Sequence, residues 1–204
     1  EEGLFGVPTS RDGVRLVIGH ALINPKHGLL GCDVSGAYLQ TELKGRKVFI
    51  HLPRFLWPDS WFDEQGNPLY RSPVMEVFRA IYGLQRSGFD WLDHANVVVK
   101  HHSWNRVRDS AEFMIVKVTG EGTFLFAAYV HDFIAGGPLG PLRAELEKLR
   151  VPKGEHVPAG SMVFAMDEPE AVSRFLGMEV SGPFILPIGE YLGAGALVER
   201  RMAV

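Results

Sequence analysis

Three β-rich runs follow one another with very little chain between them: Glu112 to Val118, Thr123 to Tyr129, and Phe133-Ile134-Ala135. Thr119-Gly120-Glu121-Gly122 separates the first two as a hairpin signal, and His131-Asp132 marks a second reversal before the third. Strands joined so tightly pair as antiparallel neighbours, because a parallel pair needs a long crossover between its strands. Any fold for this chain is therefore built around an antiparallel meander in its second half.

Around that meander the sequence places helices. Val14, Val17, Ile18, Ala21 and Leu22 recur at helical spacing, with Ser10 and Asp12 ahead of them as caps. Trp91, Leu92, Ala95, Val98 and Val99 give one apolar face between Phe89 and His102. Leu139, Leu142, Leu146 and Leu149 give another, with Pro141 where a first turn tolerates it. Leu29 to Val34 is a short apolar run bounded by Gly28 and Ser35-Gly36, which predicts a buried strand with Asp33 at its carboxyl end. Val48 to Leu52 predicts a further strand, and Pro53 to Pro73 a Pro- and Trp-bearing loop. Glu168-Pro169 is read as the start of a short helix ending near Gly177. Helices and hairpins interleaved in this order predict an α+β fold with a mainly antiparallel sheet and packed helices.

Composition bounds the function. Of 204 residues, 46% are hydrophobic and 22% charged, which excludes disorder over the whole length. Against 21 Lys and Arg stand 24 Asp and Glu, a net charge of -3, so no global positive field favours nucleic acid. The single cysteine, Cys32, excludes an intramolecular disulfide framework and a cysteine-built zinc site. No stretch approaches the roughly 18 to 20 apolar residues of a spanning helix, and no apolar leader opens the chain. The expectation is a soluble, intracellular protein with no membrane partner, not secreted, and a first residue of Glu rather than Met is read as the start of a fragment.

Two acids stand out by position: Asp33 at the end of an apolar strand and Asp132 at a tight reversal between two others. Spacing alone leaves two readings open. Aspartate favours turns on its own account, and charges set among apolar strands are elsewhere paired or bound to metal.

The surrounding residues carry a resemblance. Gly31-Cys32-Asp33-Val34-Ser35-Gly36-Ala37-Tyr38-Leu39 is similar to the Asp-Val-x-x-Ala-Phe-Leu segment of copia-type retrotransposon reverse transcriptases. Ala80-Ile81-Tyr82-Gly83-Leu84 followed by Trp91 resembles that family's Ser-Leu-Tyr-Gly-Leu-Lys-Gln-x-x-x-x-Trp, and Asp109 to Phe113 its Asp-Pro-Cys-Val-Tyr. Tyr129-Val130-His131-Asp132 with Ile134-Ala135-Gly136 resembles Tyr-Val-Asp-Asp-x-x-x-x-Gly. Phe164-x-Met166 and Phe175-Leu176-Gly177-Met178-Glu179-Val180 are similar to Phe-x-Met and Phe-Leu-Gly-Ile-Glu-Val. The motifs occur in the family's order from about Pro8 to Val180.

The resemblance implies a reverse-transcriptase palm-like domain over residues 1–180 with partial fingers, and a partial thumb, connection or disordered tail over 181–204. On the same resemblance, the family's upstream fingers strands and its RNase H domain are expected to be missing, and Arg150 to Val163 is expected to be an insertion. The implied activity is RNA-directed DNA polymerisation with Mg²⁺ or Mn²⁺, on an RNA or DNA template with a DNA primer and deoxynucleoside triphosphates. The implied setting is a cytoplasmic particle or the nucleus, beside integrase and RNase H of a Pol polyprotein. Asp33 and Asp132 fill two of three acidic positions that hold metal, and the Val34 carbonyl adds an oxygen. Tyr38 falls where an aromatic lies under the nucleotide sugar, with a core aromatic near the strand end as the other reading; Gln85-Arg86 stands where the family has Lys-Gln, and the Arg86 guanidinium suits a phosphate contact.

The chain departs from the family at His131, which stands where a metal-binding Asp is usual. A neutral imidazole removes one negative charge and suits Zn²⁺ or Cu²⁺ better than Mg²⁺. The expectation is a weak or inactive polymerase, with a non-catalytic nucleic-acid-binding or interaction module, or a pseudogene product, as the alternatives. Other features read as local structure: His101-His102 as a solvated pair rather than metal ligands, Phe55, Trp57, Trp61 and Phe62 as anchoring a loop to the core rather than stacking on bases, and Lys44, Arg46 and Lys47 as either meeting phosphates or forming a solvated turn.

Overall fold

A computed structural model describes residues 8–107, 112–155, 157 and 160–180. The tail over 181–204, residues 1–7 and the start of the Asp109 motif lie outside the described residues. Helix α1 runs Arg11–Leu22, and strand β1 His27–Asp33. A ribbon follows, β2 (Val48–His51) with β3 (Val74–Val77), then helix α2 (Ser87–His101). The meander comprises β4 (Asn105–Arg106), β5 (Met114–Thr119), β6 (Gly122–Tyr129) and β7 (Asp132–Pro138), and leads into α3 (Leu139–Glu147). Five two-residue strands complete the order: β8 (Arg150–Val151), β9 (Phe164–Ala165), β10 (Glu170–Ala171), β11 (Arg174–Phe175) and β12 (Met178–Glu179).

The main sheet has the order β10-β1-β7-β6-β5-β4, and every neighbouring pair in it is antiparallel. The chain is thus a mixed α/β protein with a mainly antiparallel sheet and, among the described residues, three α-helices. Side-chain alternation along β7 sends Phe133 and Ala135 into one core and Ile134 into the other. The first core holds Trp91, Ala95, Val98 and Val99 of α2 with Leu142 and Leu146 of α3. Opposite it, Val14, Val17 and Ala21 of α1 pack with Leu29, Ala127 and Ile134. A strand covered on both faces reads as an unbroken apolar run, which is why Phe133-Ile134-Ala135 shows no polar alternation.

Helix α1 starts where the Ser10 hydroxyl accepts the Gly13 N–H at 3.2 Å. It lies very close to the sheet: a Cβ on Gly136 would stand 2.8 Å from the Val17 carbonyl oxygen, so only glycine fits that point of β7.

The helix expected from Glu168 to Gly177 is not formed. Glu170 and Ala171 instead pair with Gly31 and Leu30 at the edge of β1, and Arg174-Phe175 turns back on Met178-Glu179. Leu176 and Gly177 have φ of 46° and 78°, the doubly left-handed geometry of a tight hairpin turn, which no right-handed helix accommodates. Phe164 and Ala165 pair in parallel with Arg150 and Val151, so the start of the predicted insertion lies beside the strand that follows the insertion. None of the helices in the described residues is long and apolar enough to cross a membrane.

Candidate metal centre

The pairing of β1 with β7 sets Asp33 directly opposite Asp132. The pairing of β6 with β7 sets Tyr129 opposite Asp132, leaving Val130-His131 as a two-residue turn. Val130 has φ 57°, a conformation that β-branched residues rarely adopt. Two hydrogen bonds hold this strained turn. The indole Nε1 of the buried Trp91 donates to the Val130 carbonyl at 2.8 Å, and the Val34 N–H donates to the His131 carbonyl at 2.9 Å. Trp91 is fixed in turn by Phe133 and Phe164, whose rings lie 6.5 and 5.6 Å from its own.

So fixed, His131 projects between the two acids. Its Nε2 is 3.9 Å from Asp33 Oδ1 and 3.8 Å from Asp132 Oδ2. One ligand atom from each of Asp33, His131 and Asp132 can be chosen so that all lie within 4.8 Å of one another, an arrangement able to hold a metal ion. The three side chains are between 39% and 46% exposed, which leaves the group open to water and ligands. Nδ1 of His131 is buried with no hydrogen-bond partner.

A third carboxylate joins them. The Asp167 N–H donates to the Asp33 carbonyl at 2.9 Å, and the Ser35 N–H to the Ala165 carbonyl at 2.9 Å, so the chain after β9 runs alongside the end of β1. Gln40 clamps the two segments together. Its Nε2 donates to the carbonyls of Ser35 (2.7 Å) and Ala165 (3.0 Å), and its Oε1 accepts the Ala165 N–H at 3.0 Å. Lys153 reaches in from the loop after β8, its Nζ 3.2 Å from Asp167 Oδ2 and 3.7 Å from Asp33 Oδ2. Asp33, Asp132, Asp167, Glu168, Glu170 and Arg174 contribute to the walls of an open cavity of about 410 Å³.

The electrostatics follow from that crowding. Burial pushes the Asp132 carboxyl above the usual range and the Asp33 charge adds to the rise, while His131 opposes it. The Lys153 ammonium is held above its usual value by its hydrogen bond to Asp167 and by the charges of Asp167 and Asp33. Burial, then Asp167 and Asp33, push the Cys32 thiol up to about 12, so it stays protonated and supplies no thiolate ligand at neutral pH.

Of the residues expected at the site, the contacts unite Asp33, His131 and Asp132, with Val34 fastened to the same turn. Tyr38 and Arg86 make their contacts elsewhere. Tyr38, on the short 3₁₀ turn Ala37–Gln40, packs against Tyr82 at 4.6 Å; burial, then Tyr82, raises its phenol above the ordinary value. Arg86 Nε donates to both carboxylate oxygens of the buried Asp90, at 3.0 and 3.1 Å. Asp167 and Lys153 are the site residues that the sequence does not single out. Asp167 follows directly on Phe164-x-Met166, and that adjacency was the one signal for it; Lys153 lies in a polar, unpatterned turn.

Three bland expectations are refined. Trp57, Trp61, Phe62 and Tyr70 meet edge-on or tilted at 5.7 to 6.0 Å, none joins either core and Phe55 is exposed, so the loop is held by its own aromatics and not by the expected anchoring to the core. His102 Nε2 is hydrogen-bonded to the Met162 carbonyl at 2.7 Å. Lys44 pairs with Asp93 and Lys47 with Glu76, which neutralises much of the basic cluster. Comparison with protein-family models, with curated proteins and with solved structures returns no match to this chain.

Proposed function

We propose that this chain is the palm-like portion of a copia-type reverse transcriptase whose metal site no longer supports efficient DNA synthesis. The observation that carries the reading is the facing pair Asp33 and Asp132, brought together by a strand end and a hairpin turn from two segments that resemble the family's acidic motifs. The buried Trp91, from the segment that resembles the family's Ser-Leu-Tyr-Gly-Leu motif and its following Trp, braces that turn.

Nucleotidyl transfer in such a palm needs two Mg²⁺ ions to activate the primer hydroxyl and stabilise the leaving pyrophosphate. Mg²⁺ demands oxygen donors in near-octahedral geometry. The residues present do not fit a pair of such ions: an imidazole stands beside Asp132, and the Lys153 ammonium already leans on Asp33 and Asp167. The same two observations favour a second reading, a non-catalytic remnant that binds nucleic acid or a partner without extending a primer.

The purified chain is expected to give Mg²⁺-dependent primer extension at or near background, and to gain activity on His131→Asp. Asp33→Asn should then abolish what was gained. Robust extension by the unaltered chain, unchanged by His131→Asp, overturns the impaired-site reading. Failure of every variant to extend or to retain primer-template at low salt overturns the polymerase reading itself.

A further inference from the structure

We infer that the Asp33–His131–Asp132 cluster is a single-ion site selective for imidazole-accepting divalent cations, Zn²⁺ foremost, with Lys153 standing as a built-in cation that excludes a second ion. The inference rests on the reading of Asp33 and Asp132 as cation-binding carboxylates, and adds the identity and number of the ions.

Donor chemistry sets the identity. One nitrogen and two carboxylates form a donor set that Zn²⁺ accepts readily, while Mg²⁺ prefers oxygen alone. Bonds of about 2.0 to 2.2 Å in a tetrahedral site separate ligand atoms by roughly 3.3 Å. His131 Nε2 is 3.9 and 3.8 Å from the two carboxylate oxygens and the three ligand atoms lie within 4.8 Å of one another, so closing on an ion takes side-chain adjustments of about half an ångström at His131 and at most about 1.5 Å between the carboxylates, within the reach of torsions at these part-exposed groups. The backbone beneath them does not need to move, because Trp91 and Val34 already hold the turn. Exposure of all three side chains leaves a further coordination position to water.

Lys153 sets the number. Asp33 offers one oxygen toward His131 and the other toward Lys153, and Asp167 gives its Oδ2 to the same ammonium. Two of the oxygens left over for a second ion, Asp33 Oδ2 and Asp167 Oδ2, are thus engaged by a tethered positive charge. That charge also repels an ion arriving beside the first.

Zn²⁺ and Mg²⁺ titrations of the whole chain, followed by calorimetry at neutral pH, test both halves. One tightly bound Zn²⁺ per chain is expected, with Mg²⁺ at least about a hundredfold weaker. His131→Ala should weaken Zn²⁺ at least about tenfold and leave Mg²⁺ unmoved, whereas His131→Asp should narrow the gap between the metals. Lys153→Met should admit a second ion. Histidine ring-nitrogen NMR of the unaltered chain needs no variant: Zn²⁺ should move the Nε2 resonance of the ring at His131, and eight unmoved rings overturn the proposal. So does equal affinity for the two metals with His131→Ala harmless, a result that leaves the polymerase reading standing. Selective Zn²⁺ binding without any retention of primer-template upholds the site and removes the polymerase.

Discussion

Two charge clusters flank the same sheet and are built on opposite plans. In one, Glu145 of α3 accepts from Lys117 of β5 at 2.6 Å and from Lys148 at 2.7 Å, and the Lys117 ammonium also donates to the His102 carbonyl at 2.7 Å. Glu145 and Lys117 are nearly buried and every contact is short. In the other, Asp33, Asp132 and Asp167 face one lysine and one histidine across 3.2 to 3.9 Å. The first is saturated and structural. The second carries more negative charge than its own residues compensate, at distances too long for hydrogen bonds at His131, and is open to solvent. Short contacts and a fully compensated carboxylate mark a cluster that holds the fold together; long contacts and surplus negative charge mark one that waits for a ligand.

The contrast breaks most visibly at Glu145. Glu145→Ala should cost about 3 kcal/mol of stability, since it leaves the Lys117 ammonium nearly buried without its counter-charge. Urea unfolding of the two chains reads the difference, and a loss below about 1 kcal/mol would place this pair among ordinary surface bridges. At the other cluster the sign should reverse. Asp132→Asn removes a like charge directly opposite Asp33 and should stabilise the metal-free chain at pH 7 by about 0.5 kcal/mol. A destabilisation there would mean that Asp132 is a structural acid like Glu145.

The smallest effect lies in the pH dependence, and its two parts run in opposite directions. Burial disfavours the Glu145 charge, but the hydrogen bonds and charges of Lys117 and Lys148 prevail and hold its carboxyl below the ordinary value. Its contribution is complete above the unfolded glutamate pKa and is lost as pH falls through the folded one. Asp132 is raised, so its contribution is complete below the unfolded aspartate pKa and is lost as pH rises through the folded one. The advantage of Asp132→Asn should therefore shrink on acidification, while the penalty of Glu145→Ala shrinks as well. Unfolding free energies from pH 7 down to pH 3 check both slopes, and a benefit of Asp132→Asn that grows toward acid contradicts the raised carboxyl.

How legible all this was depended on the range of the interactions. The meander, α1, α2, α3 and β1 were written in local periodicity, and the facing acids in the placement of Asp33 and Asp132 at strand ends. The Arg86 partner was within local reach too, since Asp90 lies one helical turn away, yet a reading of Arg86 toward phosphate overlooked it. Asp167 and Lys153 were hidden because their approach depends on the parallel pairing of β8 with β9 and on the Gln40 clamp, contacts that leave no periodic trace. The Glu168 to Gly177 segment misled for a different reason. Two consecutive left-handed residues, one of them Leu176, reverse a stretch whose composition suits a helix.

The register of β1 against β7 has a consequence for the order in which the molecule assembles. His131 and Asp132 come together within one hairpin, a contact that forms early and locally, whereas Asp33 reaches them across roughly a hundred residues once β1 docks on β7. An ion that needs all three donors therefore has nothing to grip until that docking is complete. On the proposed single-ion reading, capture of the cation reports that β1 has docked on β7, and a chain stalled before that step keeps its meander and loses its metal.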